Sequence, residues 1–201
     1  MIKLSKMKKK DFIFSLIAGF LIGILSLIVL KFTLNLGSYW ILWIITIPLL
    51  SISGTFIASI IGKKIPVVWQ FAKFIISGSL SALVDLSLLN LLMFLTGFSS
   101  GMFFIIFKGL SFLFAVANSY FWNKGWTFEK KEGSVKEASG FFLISSIGFI
   151  INISVAFIVV NIIGPKFGIN FVQWANIGSI IAILVAMFWN FIGFKFLVFK
   201  K

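Results

Sequence analysis

The chain has 201 residues, 60% of them hydrophobic and only 11% charged, far below the about 25% charged residues of a soluble domain. Its balance is strongly basic, 18 lysines (no arginine) against 5 acids, for a formal net charge of +13. Cysteine and histidine are absent, which excludes disulfides, thiol chemistry, Cys/His metal sites and any His-based triad or acid–base shuttle.

Several apolar runs reach about 20 residues, enough to cross a ~30 Å hydrocarbon layer at 1.5 Å per residue. They predict an all-α integral membrane protein with six spans, at 12–31, 39–61, 71–95, 102–122, 141–163 and 172–194. The first follows the basic leader "MIKLSKMKKK". Its apolar run exceeds the roughly 7–15 residues of a signal-peptide core and lacks a small-x-small cleavage site, so it reads as a retained helix. Ser15, Gly19 and Gly23 follow at steps of four, a close-packing face. Pro48 lies in the second span, where a membrane helix tolerates it with a kink. "GKKIPVVWQ" leads to the third span and the tight turn "TGFSSG" to the fourth. The longest loop, "NKGWTFEKKEGSVKEAS", holds three of the five acids, and "GPKFGIN" joins the last two spans.

Lysines set the topology. One side has five (Lys3, Lys6, Lys8, Lys9, Lys10), three (Lys63, Lys64, Lys73), four (Lys124, Lys130, Lys131, Lys136) and three (Lys195, Lys200, Lys201); the other has Lys31 and Lys166. This positive-inside asymmetry places both termini in the cytoplasm of a multi-pass protein in a cytoplasmic membrane. With the lysines in short inter-span segments, anionic lipid rather than nucleic acid is the expected partner.

Two spans end alike. "NSYFWNKGWTF" (118–128) and "WNFIGFKFLVF" (189–199) each set aromatics beside a lysine and close on Phe. One reading is an aromatic–lysine belt at the membrane interface. The other is duplication: Lys124 to Phe128 aligns with Lys195 to Phe199 at an offset of 71 residues, and "FIISGSLSALVDLS" (74–87) with "FFLISSIGFIINIS" (141–154) at 67. There Phe74 meets Phe141 and Asp85 meets Asn152. Spans three to six would then be a four-helix unit of two parallel helical-hairpin repeats, the arrangement that places transporter sites at repeat interfaces. Helix-packing preferences alone are the alternative source of such similarity.

Within the spans, Lys73, Ser77, Ser81 and Asp85 recur every four residues on one helix face, and Lys108, Ser111, Ala115, Asn118 and Trp122 line another. Small and polar residues at this spacing commonly serve packing. A mid-span aspartate, at roughly 2.5–3.5 kcal/mol on insertion scales, calls for a partner or a wet cavity. From the turn near residue 98 the backbones of Asp85 and Lys108 differ in depth by roughly 5 Å, within a lysine's reach. Pairing, a shared polar cavity and structural neutralisation all fit. Asn118, Asn152 and Asn190 offer amides to sugar hydroxyls or to neighbouring helices.

Residues 70–201 resemble the GtrA-like family of small four-helix bacterial membrane proteins, on "FAKFIISGSLSALVDLSLLNLL", "NSYFWNKGWTF" and "NFIGFKFLVF". The resemblance implies translocation of a polyprenyl-phosphate-linked monosaccharide, such as an undecaprenyl phosphate sugar, for cell-surface polysaccharide glycosylation in a prokaryote. It also implies a membrane glycosyltransferase as partner. Asp85, Lys124, Trp126, Phe128 and Lys195 fall on the family pattern. Lys124 stands where Arg is commoner, which removes bidentate phosphate binding, and the N-terminal helix pair lies outside the four-helix plan. The expected division is thus an accessory segment at 1–66 and the four-helix domain at 67–201.

A translocator needs cations for lipid phosphate and a polar groove for sugar. The candidates are Lys124 and Lys195 for the phosphate, held together if the repeats are parallel, Trp126 and Phe128 beside the lipid chain, and Asp85, Lys108, Asn118, Asn152 and Asn190 for the groove. No cofactor or metal is expected: there is no P-loop for ATP and no DxD-like nucleotide site for a glycosyltransferase. The alternative is a non-transporting scaffold or activator of such an enzyme, which has no need of Asp85 or Lys108 in the bilayer. A homo-oligomer is compatible with either reading.

Overall fold

A computed structural model describes residues 7–33, 40–97, 101–130, 133–164, 166–168 and 171–199; the side chains of 30–33, 40–41, 101–105, 108–109, 156, 160–161, 171–180 and 183 lie outside that description. The regular structure of the described residues is entirely helical, in two compact units, Met1–Lys131 and Glu132–Lys201.

The first unit contains α1 (Lys9–Thr33), α2 (Trp40–Ile61), α3 (Pro66–Thr96) and α4 (Gly101–Trp122). Helix α1 starts where Asp11 turns back to accept the backbone N–H of Lys8 at 3.0 Å, half of a capping box in which the third helical residue caps the N-cap amide. Helix α3 starts on Pro66, which needs no N–H partner there, and stops at Gly97 (φ 74), whose N–H bonds the Met93 carbonyl. Its 31 residues make about 46 Å of helix, longer than a ~30 Å hydrocarbon layer.

The close-packing face of α1 meets α2. A Cβ on Gly19 would stand 2.7 Å from the Pro48 Cα and 2.9 Å from the Ser51 Cβ, so only glycine permits this approach. Hydroxyls fill the seam beside it: Ser51 donates to the Ser15 carbonyl at 2.9 Å, and Ser15 and Thr55 meet at 3.0 Å. Helix α3 packs against α1, α2 and α4.

The second unit contains α5 (Val135–Phe157) and α6 (Phe171–Gly193), packed on each other. Ser134 caps α5 by accepting the Glu137 N–H at 3.1 Å. Helices α4, α5 and α6 each run on into a π turn, Asn123–Thr127, Ile158–Ile163 and Phe194–Val198. The first and third close alike: the Phe128 N–H bonds the Asn123 carbonyl at 2.8 Å, and the Phe199 N–H bonds that of Phe194 at 2.7 Å.

Among the described residues four helical segments are long and apolar enough to cross a membrane: Lys9–Val29, Leu42–Ile61, Pro66–Thr96 and Val135–Val155. The protein is a multi-pass membrane protein.

Candidate functional site

The polar face read along the third span is a seam between α3 and α4, with partners at four successive levels. At the first, Lys73 is 1% exposed. Its ammonium lies 2.7 Å from Asp11 Oδ1 and 3.0 Å from Glu129 Oε1, and donates to the Trp126 carbonyl at 3.3 Å. At the second, Ser77 donates to Asn123 Oδ1 at 3.2 Å, while Asn123 donates to the carbonyl and hydroxyl of Ser119. At the third, Asn118 donates to Ser81 Oγ at 2.9 Å. At the fourth, Ser111 donates to Asp85 Oδ1 at 2.5 Å. Twelve residues of α3 separate Lys73 from Asp85, so the seam runs about 18 Å along the helix.

The charged level is the densest. Asp11, 1% exposed, takes the Lys73 ammonium and the Trp126 indole N–H, at 3.1 Å, on one oxygen and the Lys8 amide on the other. Trp126 is fully buried and packs edge-on against Trp122 and tilted against Phe14. The Trp69 ring stands 4.5 Å from the Lys73 ammonium, close enough for a cation–π contact. A buried ion pair is supportable only where hydrogen bonds saturate it, as they do here.

Glu129 completes the cluster from outside. Burial pushes its carboxyl up, but the hydrogen bond and charge of Lys73, with those of Lys8, outweigh this and hold it below its ordinary 4.5. Its backbone is left-handed, at φ 50. Lys10 donates to the Gly125 carbonyl at 2.9 Å, a second tie between the start of α1 and the π turn.

The structure therefore assembles Asp85, Asn118, Trp126 and Phe128 in the first unit, but not as an interface belt there. Trp126 and Phe128 are core residues, 0% and 4% exposed, because the π turn folds their rings inward. Lys124 is half-buried beside Tyr120, its ammonium 3.4 Å from the phenol oxygen. The Lys108 side chain lies outside the described residues, so the expected pairing with Asp85 does too. Asn152, Asn190 and Lys195 belong to the second unit. Asn152 is half-buried; Asn190 faces Gly148, and its buried Oδ1 accepts no hydrogen bond among the described residues. Lys195 stands over the Phe191 and Phe196 rings at 5.6 and 5.3 Å.

The sequence places Lys73 both in the cytoplasmic lysine count and at the head of the polar face of the third span, but does not single out Asp11 or Glu129 as its partners. In the structure Lys73 is buried in α3 and satisfied by carboxylates 62 residues before and 56 after it. The available signal was scarcity: with only 5 acids against 18 lysines, an aspartate inside a lysine run has a specific use.

Comparison with known families matches residues 73–199 to the family described as GtrA/DPMS, transmembrane domain, well over half of the chain. No curated protein and no solved structure matches. The matched segment begins at Lys73, so Asp11 reaches the cluster from outside it. This family connection suggests involvement in handling lipid-linked sugars. On that match, the chain belongs to the GtrA/DPMS transmembrane-domain family.

Proposed function

We propose that the protein translocates a polyprenyl-phosphate-linked monosaccharide across the cytoplasmic membrane of a prokaryote, for glycosylation of cell-surface polysaccharide. The observation that carries this reading is the seam. A line of hydroxyls and amides leads from a buried lysine to the mid-helix carboxylate of Asp85, giving sugar hydroxyls successive partners where lipid gives none. Asn118 and Asp85 are the proposed sugar contacts in α3 and α4, Asn152 and Asn190 those in α5 and α6. Lys124 and Lys195 are the proposed phosphate contacts, each at the end of its hairpin. The family is generally non-catalytic, and the seam needs no covalent step.

The proposed topology has six spans with both termini cytoplasmic, and residues 67–201 as a duplicated four-helix domain. The matching π turns after α4 and α6 support the duplication. A cysteine introduced at Ser134 should resist an impermeant reagent in intact cells; labelling there would overturn the topology.

The deciding test is reconstitution in liposomes with a labelled undecaprenyl-phosphate sugar. Transport is expected in the wild type and lost in Asp85→Leu, which should still insert because it removes an insertion penalty of roughly 2.5–3.5 kcal/mol. Full transport by Asp85→Leu would reduce Asp85 to a packing role. Absence of transport by the wild type would favour the scaffold or activator of a membrane glycosyltransferase.

A further inference from the structure

We propose that the Lys73 cluster is an anion seat in which Glu129 is an exchangeable resident, replaced by the phosphate ester of a lipid at the membrane surface. This rests on the translocation reading for the identity of the ester and adds the seat itself.

The two carboxylates on Lys73 are not equivalent. An ammonium has three N–H donors, and among the described residues three oxygens surround this one: Asp11 Oδ1, the Trp126 carbonyl and Glu129 Oε1. The first two are fixed. The Asp11 side chain is 2% exposed and bonded by the indole and the Lys8 amide, and the Trp126 carbonyl belongs to the π turn. The third is held loosely. The Glu129 side chain is 39% exposed, and among the described residues its other oxygen meets only the 60% exposed Lys8 ammonium, at 3.5 Å. Its φ of 50 is a conformation that residues other than glycine seldom adopt.

The exchange conserves charge and hydrogen bonds. Without Glu129 the ammonium keeps the equal and opposite charge of Asp11 but has an N–H without its acceptor, and a phosphodiester returns both the acceptor and the single negative charge that Glu129 removes. The released glutamate is already at the surface. Four lysines, Lys8, Lys10, Lys73 and Lys124, lie on or beside the segment from Lys124 to Glu129, against Asp11 and Glu129. The rim therefore stays cationic with Glu129 in place and favours an arriving anion. The Trp69 and Trp126 rings, 4.5 and 5.9 Å from the ammonium, wall its remaining flanks.

The test uses the full chain in phosphatidylcholine nanodiscs, with an undecaprenyl-phosphate monosaccharide, a phosphodiester, as probe and bound lipid counted by native mass spectrometry. Removing the resident anion should raise affinity, so Glu129→Gln is expected to bind about five-fold tighter, as for any site relieved of a competing closed state. Lys73→Gln should lose about ten-fold or more, the usual consequence of deleting a charge-assisted hydrogen bond. Adding Glu129→Gln to Lys73→Gln should then gain nothing. Unchanged or weaker binding by Glu129→Gln overturns the seat, and it does so even if the Lys73 variant fails to fold. Inorganic phosphate should not displace the lipid; displacement would overturn the lipid source and assign the seat to free phosphate. Parallel flipping assays separate the two readings. The predicted binding pattern without transport removes translocation and keeps the seat, whereas transport with Glu129→Gln affinity unchanged removes the seat and keeps translocation.

Discussion

The ends of the two hairpins, after α4 and after α6, share a backbone device and fill it with opposite chemistry. Both run into a π turn closed by a buried Phe amide. In the first, Asn123 bonds Ser77 and Ser119, Trp126 reaches Asp11, and Lys73 stands at the centre. In the second, the aligned positions are Phe194 for Asn123, Ile144 for Ser77, Leu197 for Trp126 and Gly140 for Lys73. Phe194 stacks on Phe141 with ring centroids 3.8 Å apart, Ile144 presses on Gly193, and Leu197 is 70% exposed. The turn is thus a scaffold indifferent to its filling, and among the described residues it is the first hairpin that packs polar side chains into it. The backbone turn therefore does not by itself call for a buried lysine.

The largest effect should come from breaking the charged filling. Lys73→Leu strands a buried Asp11 carboxylate and is expected to destabilise by about 3–5 kcal/mol, read as a lower thermal midpoint in detergent. Asp11→Leu in the same chain should recover most of the loss, because an apolar pair in place of a buried ion pair is commonly near neutral. Persistence of the full loss in the double variant would mean that the cluster does more than neutralise itself.

Breaking the apolar filling should do less. Phe194→Ala is expected to cost about 2–3 kcal/mol, below the range of soluble cores because the unfolded reference in detergent or lipid already shelters the ring. Phe194→Asn should be at least as harmful, since position 144 holds Ile where the first hairpin has Ser77. Adding Ile144→Ser should return about 1 kcal/mol, the worth of one hydrogen bond.

Gly148→Ala sharpens the contrast within the second unit. Its methyl would collide with the Asn190 amide, for an expected loss of about 1–3 kcal/mol as in other overpacked sites. In an Asn190→Ala background the same change should be close to neutral, measured by the same melts.

The smallest effect is the pH dependence of Glu129. Its folded pKa lies below 4.5, so the stabilisation is complete above about 4.5 and disappears as pH falls through the lowered value. Solvent screening of a side chain 39% exposed keeps it under about 1 kcal/mol. Glu129→Gln should flatten that part of the stability curve and leave the rest unchanged.

The sequence made the helices legible because apolar runs of about 20 residues have no other use, and it made the α3 polar face legible because a four-residue step is a helical signature. The partners of that face were legible only in part. Asp85 and Asn118 could be singled out by their cost in a bilayer, but Ser111 and Ser81, which bond them, look like packing residues. The charged level was hidden for another reason. Asp11 and Glu129 stand beside lysines in sequence, where local pairing is the simplest account, and only the tertiary fold carries them to Lys73. The inward turn of Trp126 follows from a π turn, which leaves no periodic mark in five residues.

Synthesis order gives the Lys73 cluster a further consequence. Asp11 and Lys73 are both in place once α3 has emerged from the ribosome, but Trp126 and Glu129 follow 30 and 33 residues after its last residue, Thr96. Until then the ammonium has one carboxylate and no lid, and the start of α1 lacks its tie through Lys10 to Gly125. Residues 123–130 therefore act as a fastener applied last, joining the beginning of the chain to a point nearly two thirds along it.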